Sequence, residues 1–387
     1  MIRWRRGLIG GLCGLILGLA LGPRPAVGHD PSAFGGLFRS RDDGATWLPA
    51  NPGRVVSGAI AVAVSPADPA HLLMATDSGL LRSRNGGLEW SLESPNVLIG
   101  PVFAVAFAAD GRRALAATTA ALFETDDSET WHPSRLPAGA APARAIATGP
   151  LDHVYLAGWT GLYRSRDWAG TWEALVLPGG PEESVTTVLP RPGRIDAIVG
   201  GRLVTHEDGA DAWRVQDRGL PVSGVEALGA DPRNPARLWS VGAGQLWRSD
   251  DDGVSWRTVG RPLPDTTVRT RAIAVASIGS AVTLATDRGL YRSPDAGEHW
   301  ELLGDTLPAH LEAWPLVRDP KDPATLYAGF ALTPYLELWR LAVEGRTVLS
   351  RLEATSVAGG LAFLVLLGLG AAFALRQLAR RGGRARA

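Results

Sequence analysis

The sequence predicts an all-β chain, a seven-bladed β-propeller, and three observations predict it. Trp47, Trp90, Trp131, Trp172, Trp213, Trp256 and Trp300 follow one another at intervals of 43, 41, 41, 41, 43 and 44 residues, a period suited to one four-stranded blade. Each closes a version of one phrase, Ser-x-Asp-x-Gly-x-x-Trp. Between the phrases, apolar runs such as 59–64 and 72–76 are separated by Asp-Pro turns, as at Asp68, Asp231 and Asp319.

Taken in order, Arg3, Arg5 and Arg6 precede an apolar stretch over 7–22, and Ala26-Val27-Gly28 supplies small residues for cleavage. Residues 1–28 therefore read as a signal peptide. The alternative is an uncleaved anchor, for which the run is shorter than the ~20 residues a span needs. The single cysteine, Cys13, lies in this stretch, so neither a disulfide pair nor a thiolate metal cluster can form within one chain. Residues 29–343 carry the propeller and 344–353 a linker. The 22 residues 354–375 contain no charge and read as a transmembrane helix, with a buried core helix as the alternative. The tail 376–387 carries five arginines, which the positive-inside rule puts in the cytoplasm. The chain is thus expected at the cell membrane, single-pass, with its propeller extracytoplasmic. All 39 acidic residues lie between 29 and 353 with 30 basic ones, a formal charge of −9 that argues against nucleic acid as a partner. Thirty-eight arginines against one lysine suit a GC-rich bacterial genome.

The phrase is complete in Ser40, Asp42, Gly44 and Trp47, in Ser249, Asp251, Gly253 and Trp256, and in Ser293, Asp295, Gly297 and Trp300. Ser83, Gly87 and Trp90 keep it with Asn85 in the aspartate place. Ser165, Asp167 and Trp172 keep it with Gly170 displaced by one. Before Trp131, Asp126 stands with Glu124 and Ser128 in the serine and glycine places, and before Trp213 the phrase from Thr205 is stretched by a residue. These residue types suit a tight strand reversal. Glycine supplies positive φ, the carboxylate accepts N–H groups of its own turn, the hydroxyl braces it, and the indole packs into the seam between sheets.

In these phrases the chain resembles the BNR or Asp-box repeat propellers, over roughly residues 35 to 343. Sialidases, sortilin-type receptors, glucan-degrading hydrolases and photosystem II assembly factors belong to that family. The resemblance implies that the box residues are structural. The layout, one propeller without hydrolase residues, looks most like the assembly-factor branch.

First strands of the blades are expected near Ile60, Val105, Ile146, Val188, Ala227, Ala274 and Leu316. The first box has no such strand before it, so the hairpin over 37–49 is expected to complete the blade begun by Leu316 and Leu326. Leu338 to Leu341 is left two strand positions, the third strand of that blade or an extra edge.

The box turns and the Asp-Pro turns occupy one face of a propeller, so a ligand site is sought on the other. There the turns carry Asp77, Trp159, Asp287 and Tyr335, and the longer loops Glu93, Glu182, Glu183, Asp217, Asp265, Asp305 and Glu312. A sialidase needs an arginine cluster, a tyrosine paired with glutamate and an acid/base aspartate. Arg39, Arg82, Arg164, Arg248 and Arg292 instead recur at one strand position in successive blades, which spreads them around the ring. The seven histidines show no ligand pair, and there is no Walker loop and no Gly-x-Ser-x-Gly. No cofactor is expected; calcium on the acidic loops has no motif to support it. The sequence is read as a non-catalytic platform binding a membrane or extracytoplasmic protein. The alternatives are a glycan-binding protein or glycoside hydrolase, and a purely structural surface protein.

Overall fold

The structure, a computed structural model, describes residues 35–344 apart from 55, 182, 217, 222 and 223. The proposed signal peptide, the linker beyond Glu344, the transmembrane helix and the basic tail, with Cys13, Glu182 and Asp217, lie outside the described residues. Among those described, no helix is long and apolar enough to cross a membrane.

The described residues form seven four-stranded antiparallel sheets; six run in sequence order from an inner to an outer strand, and the seventh takes its inner two strands from the end of the described chain and its outer two from the start. The inner strands are Ala61–Val64, Val102–Phe107, Ala143–Thr148, Val185–Arg191, Ala227–Asp231, Thr270–Val275 and Glu312–Arg318, as the apolar runs predict. Each touches the inner strand of the next blade, and the last touches the first, so the ring closes. We number the blades 1 to 7 in that order. The second strands, such as Leu72–Thr76 and Ala114–Thr118, are buried along their whole length because neighbouring blades cover both faces. That is why they read as continuous apolar runs rather than alternating ones.

Blade 7 joins the two ends of the described chain. Gly36–Ser40 pairs with Leu326–Ala331, and Leu48–Pro49 lies outside it, so the hairpin over 37–49 does complete the blade begun by Leu316. Phe38 and Phe330 meet edge to face at 5.3 Å on this junction, both fully buried. With the third-strand place taken, 338–341 is not a strand. It belongs to an α-helix, α1, over Tyr335–Val343. Tyr335, Leu338, Trp339 and Ala342 stand at i, i+3, i+4 and i+7, and this apolar stripe packs on Ile60, Phe103 and Trp314.

The box turns share one hydrogen-bond pattern. The Ser40 hydroxyl donates to Asp42 (2.7 Å) and accepts the Gly44 N–H (2.9 Å), and Asp42 accepts the Thr46 N–H (2.8 Å). The Trp47 indole N–H donates to the Gly44 carbonyl (3.0 Å). Ser83 with Asn85, Ser165 with Asp167, Ser249 with Asp251, and Ser293 with Asp295 repeat the serine–carboxylate or serine–amide contact. Trp90 and Trp256 repeat the indole bond, whereas the Trp172 and Trp300 indoles donate to the Arg135 and Arg261 carbonyls. Ala169, at φ +65°, holds the glycine place of its turn and gives its N–H to Ser165, so the displaced Gly170 is not needed there.

Two copies differ from the sequence register. Before Trp131 the holding carboxylate is Asp127, not Asp126: it accepts the Thr125 hydroxyl (3.0 Å) and the N–H groups of Glu129 and Thr130 (both 2.8 Å). That turn is one residue shorter, so its bonds reach two and three residues ahead instead of four. Before Trp213, Thr205 instead donates to the buried Asp196 (2.5 Å) and accepts from Gln216 (2.9 Å), a chain that crosses three strands of blade 4.

Candidate functional site at the loop-face mouth

The loops joining successive blades, and the turns between second and third strands, lie on the face opposite the boxes. Here the central channel opens, and one position per blade builds its rim. Phe103, Arg144, Thr186 and Arg271 are each the extra residue of a β-bulge near the start of an inner strand, and Trp314 lies in the corresponding irregularity of blade 7. Ile60 and Glu226 hold the equivalent place in blades 1 and 5, each giving its N–H to the second strand. A bulge turns its side chain out of the normal alternation, here toward the mouth.

The rim is divided. Ile60, Phe103 and Trp314 form an apolar half, which α1 covers with Tyr335, Leu338 and Trp339. Arg144, Thr186, Glu226 and Arg271 form a polar half that stays open beside the helix as a cavity of about 230 Å³, walled also by Arg269, Glu312 and Tyr335. The helix is fixed at its start, where the Tyr335 N–H donates to Glu312 (2.8 Å) and the Tyr335 hydroxyl to the Arg144 carbonyl (2.9 Å). Burial pushes the Tyr335 phenol well above its ordinary range. Trp339 stacks on Trp159, ring centroids 4.2 Å apart.

The electrostatics single out one cation. Arg269 pairs with Glu226 (2.9 Å) and Arg271 with the buried Glu312 (2.8 Å). Arg144 has no carboxylate partner among the described residues; its guanidinium lies over the rings of Trp159 (5.3 Å) and Tyr335 (5.9 Å). Burial, with the nearby Arg271 charge adding to it, lowers the Arg144 pKa from its usual value. Among the described residues, three arginines and two carboxylates leave the cavity one positive charge in excess.

Of the residues singled out in the sequence, Trp159, Glu312 and Tyr335 reach this mouth, Trp159 and Tyr335 through α1 and Glu312 in the cavity wall. Asp287 supports it from behind by accepting the Arg269 N–H (3.0 Å). Glu183 pairs with Arg202 (3.0 Å) and Asp265 with Arg288 (2.5 Å), which commits both to their own loops. Asp77 and Asp305 do not line the cavity. Arg144, Glu226, Arg269, Arg271 and Trp314 were missed. Aligning the repeats on their inner strands would have placed the rim residues in one column, where residue type switches from apolar to polar.

The third-strand arginines do not gather. Arg82 pairs with Glu93 (2.5 Å), both nearly buried, Arg164 with Glu173 and with Asp208 of the next blade, and Arg248 with Asp250 (2.8 Å). The opposite mouth is an open apolar hollow of about 550 Å³ lined by Val62, Val105, Phe107, Ile146 and Val317. Among the described residues no group of three or more His, Cys, Asp or Glu is arranged to hold a metal ion.

No family model matches the chain, and no curated protein does. Solved structures do. The chain is similar to YCF48 bound to a D1 peptide, with 19% identity over 73% of this chain and 95% of that one, TM-score 0.55. It is similar to YCF48 from Cyanidioschyzon merolae, with 17% identity over 71% and 96%, TM-score 0.54. It is also similar to the extracellular domain of the BT4673 one component system from B. thetaiotaomicron, with 12% identity over 72% of this chain and 39% of that longer one, TM-score 0.55. At these identities the likeness establishes the fold, a seven-bladed propeller.

Proposed function

We propose that this chain is an exported Asp-box propeller, tethered by 354–375 to the outer face of a cell membrane, that binds a segment of a neighbouring protein at the loop-face mouth without catalysing a reaction. The observation that carries the reading is Arg144. A half-buried guanidinium with no carboxylate partner among the described residues, in a small cavity walled by aromatic rings, is suited to an anionic group brought by a partner. Thr186 and the Glu226–Arg269 pair beside it add donors and acceptors that a peptide backbone requires. The structure of YCF48 with a D1 peptide supports the choice of a peptide over a glycan, as a similar fold seen with such a ligand. The two rim carboxylates, Glu226 and Glu312, are each held by an arginine, which suits them to positioning rather than to acid/base work.

The test is crosslinking and mass spectrometry on the tagged full chain solubilised from its native membrane, comparing wild type with Arg144→Ala and Thr186→Ala. A discrete partner present in wild type and lost in Arg144→Ala is the expected result. A partner equally retained by both variants would refute the mouth as its site. Turnover of glycosides by the wild type, abolished by Glu226→Gln, would replace binding with hydrolysis.

A further inference from the structure

Both ends of the described chain leave the propeller on the same face. Gly35 precedes the strand Gly36–Ser40, whose first residue pairs with Phe330 near the end of Leu326–Ala331, and α1 continues from that strand across the mouth to Glu344. Only nine residues, 345–353, lie between Glu344 and Ala354, a reach of at most ~35 Å when extended. To turn the box face toward the bilayer, the linker would have to cross a blade and descend its outer edge. Four strands at ~4.8 Å spacing and a strand height of ~17 to 20 Å make that path about as long as the whole linker, with nothing left to enter the membrane.

Resting on the tethered reading above, we propose that the loop face is a membrane-contacting surface, its partner a phospholipid bilayer, with α1 as the fixed collar that holds the mouth toward the lipid. Trp159, Ile99, Leu332 and Leu336 are exposed on this side, at 41%, 74%, 49% and 37%. A tryptophan and aliphatic side chains beside an arginine suit the headgroup region. Leu151 and Ile278 are exposed on the box face, so apolar exposure alone does not choose the side; the chain exits and the linker length do. The cavity at Arg144 then opens toward the membrane plane, where a segment of a membrane protein would meet it.

The experiment uses the full chain carrying Cys13→Ser and one new cysteine, Ile99→Cys on the loop face or Ile278→Cys on the box face. Each is labelled with an environment-sensitive fluorophore and reconstituted into nanodiscs of phosphatidylcholine and phosphatidylglycerol containing headgroup-spin-labelled lipid. Quenching several-fold stronger at position 99 than at 278 is the expected result. Incorporation with equal quenching, or stronger quenching at 278, overturns the orientation and leaves the tether standing. Failure of the folded chain to enter nanodiscs overturns the tether and the orientation together.

Discussion

Asp43 tests what holds the ring shut. It sits beside the box aspartate Asp42 in blade 7, yet its carboxylate reaches back to blade 6, accepting the Ser277 N–H and hydroxyl, both at 2.7 Å. Arg318 stands 3.4 Å away. Hydrogen bonds to a charged group contribute ~1.5 to 3 kcal/mol each, and the Asp43 side chain is 12% exposed, so water recovers only part of the loss. Asp43→Ala should cost about 2 to 4 kcal/mol, and at about 2 °C per kcal/mol for a domain of this size Tm should fall by ~4 to 8 °C. Asp126→Ala, at an exposed residue that does not hold its turn, should stay within ~0.5 kcal/mol. The assay is thermal and urea unfolding of the detergent-solubilised chain, variants side by side. An Asp43→Ala variant less than ~1 kcal/mol below wild type would refute the claim that the residue after the box aspartate joins the blades. The same claim covers Asp252, which follows the box aspartate Asp251 and meets Arg191 and Arg194 of blade 4 from blade 5.

Burial, aided by the Arg84 and Arg82 charges, lowers His71 to a pKa of about 4. Its imidazole is neutral when folded but takes a proton below ~6.5 when unfolded, so stability should fall as pH drops from ~6.5 toward 4. His71→Phe, which keeps a ring against Phe107, should flatten that slope in Tm against pH. Hydrogen bonds from Ser255 hold Asp251, and those from His299 hold Asp295, at about 2. Their contribution is present above ~4 and should be lost progressively as pH falls from ~4 to about 2, seen as a second drop in the same melts. Gly111→Ala forces a Cβ to within 2.4 Å of Ala67 at φ +68°, on the seam between blades 1 and 2, whereas Gly53→Ala at φ +73° meets open space. Both should cost the ~1 kcal/mol of a left-handed residue, and urea midpoints should show Gly111→Ala as clearly the worse. Trp159→Ala and Trp339→Ala should be non-additive by ~0.5 to 1.5 kcal/mol in a double-mutant cycle, and additivity would mean the stacked pair does not anchor α1.

The blade architecture was legible because its causes are local. A turn that must reverse in seven residues selects serine, aspartate, glycine and tryptophan at set spacings. Where that local logic bends, the reading slipped: the shorter turn at Asp127 and the abandoned box at Thr205 both trade one satisfied hydrogen-bond set for another. The helix Tyr335–Val343 was misread because 338–341 is apolar enough for a strand, and only the i, i+3, i+4, i+7 stripe across nine residues distinguishes the two.

By itself the sequence determined the number of blades, the closure of blade 7 by the first hairpin, and the face bearing the boxes. Each follows from a period or from a strand left without a partner. Only the tertiary structure decided which side chains meet at the mouth. Arg144, Thr186, Glu226 and Arg271 lie roughly 40 residues apart, and each turns toward the mouth at or beside the start of an inner strand, out of the alternation by which strand facing is read. That α1 covers half of the rim and that Arg144 has no carboxylate partner among the described residues are likewise matters of packing. An arginine's partners depend on which neighbouring blades bring acids within reach, and adjacency in space is not written in any one repeat.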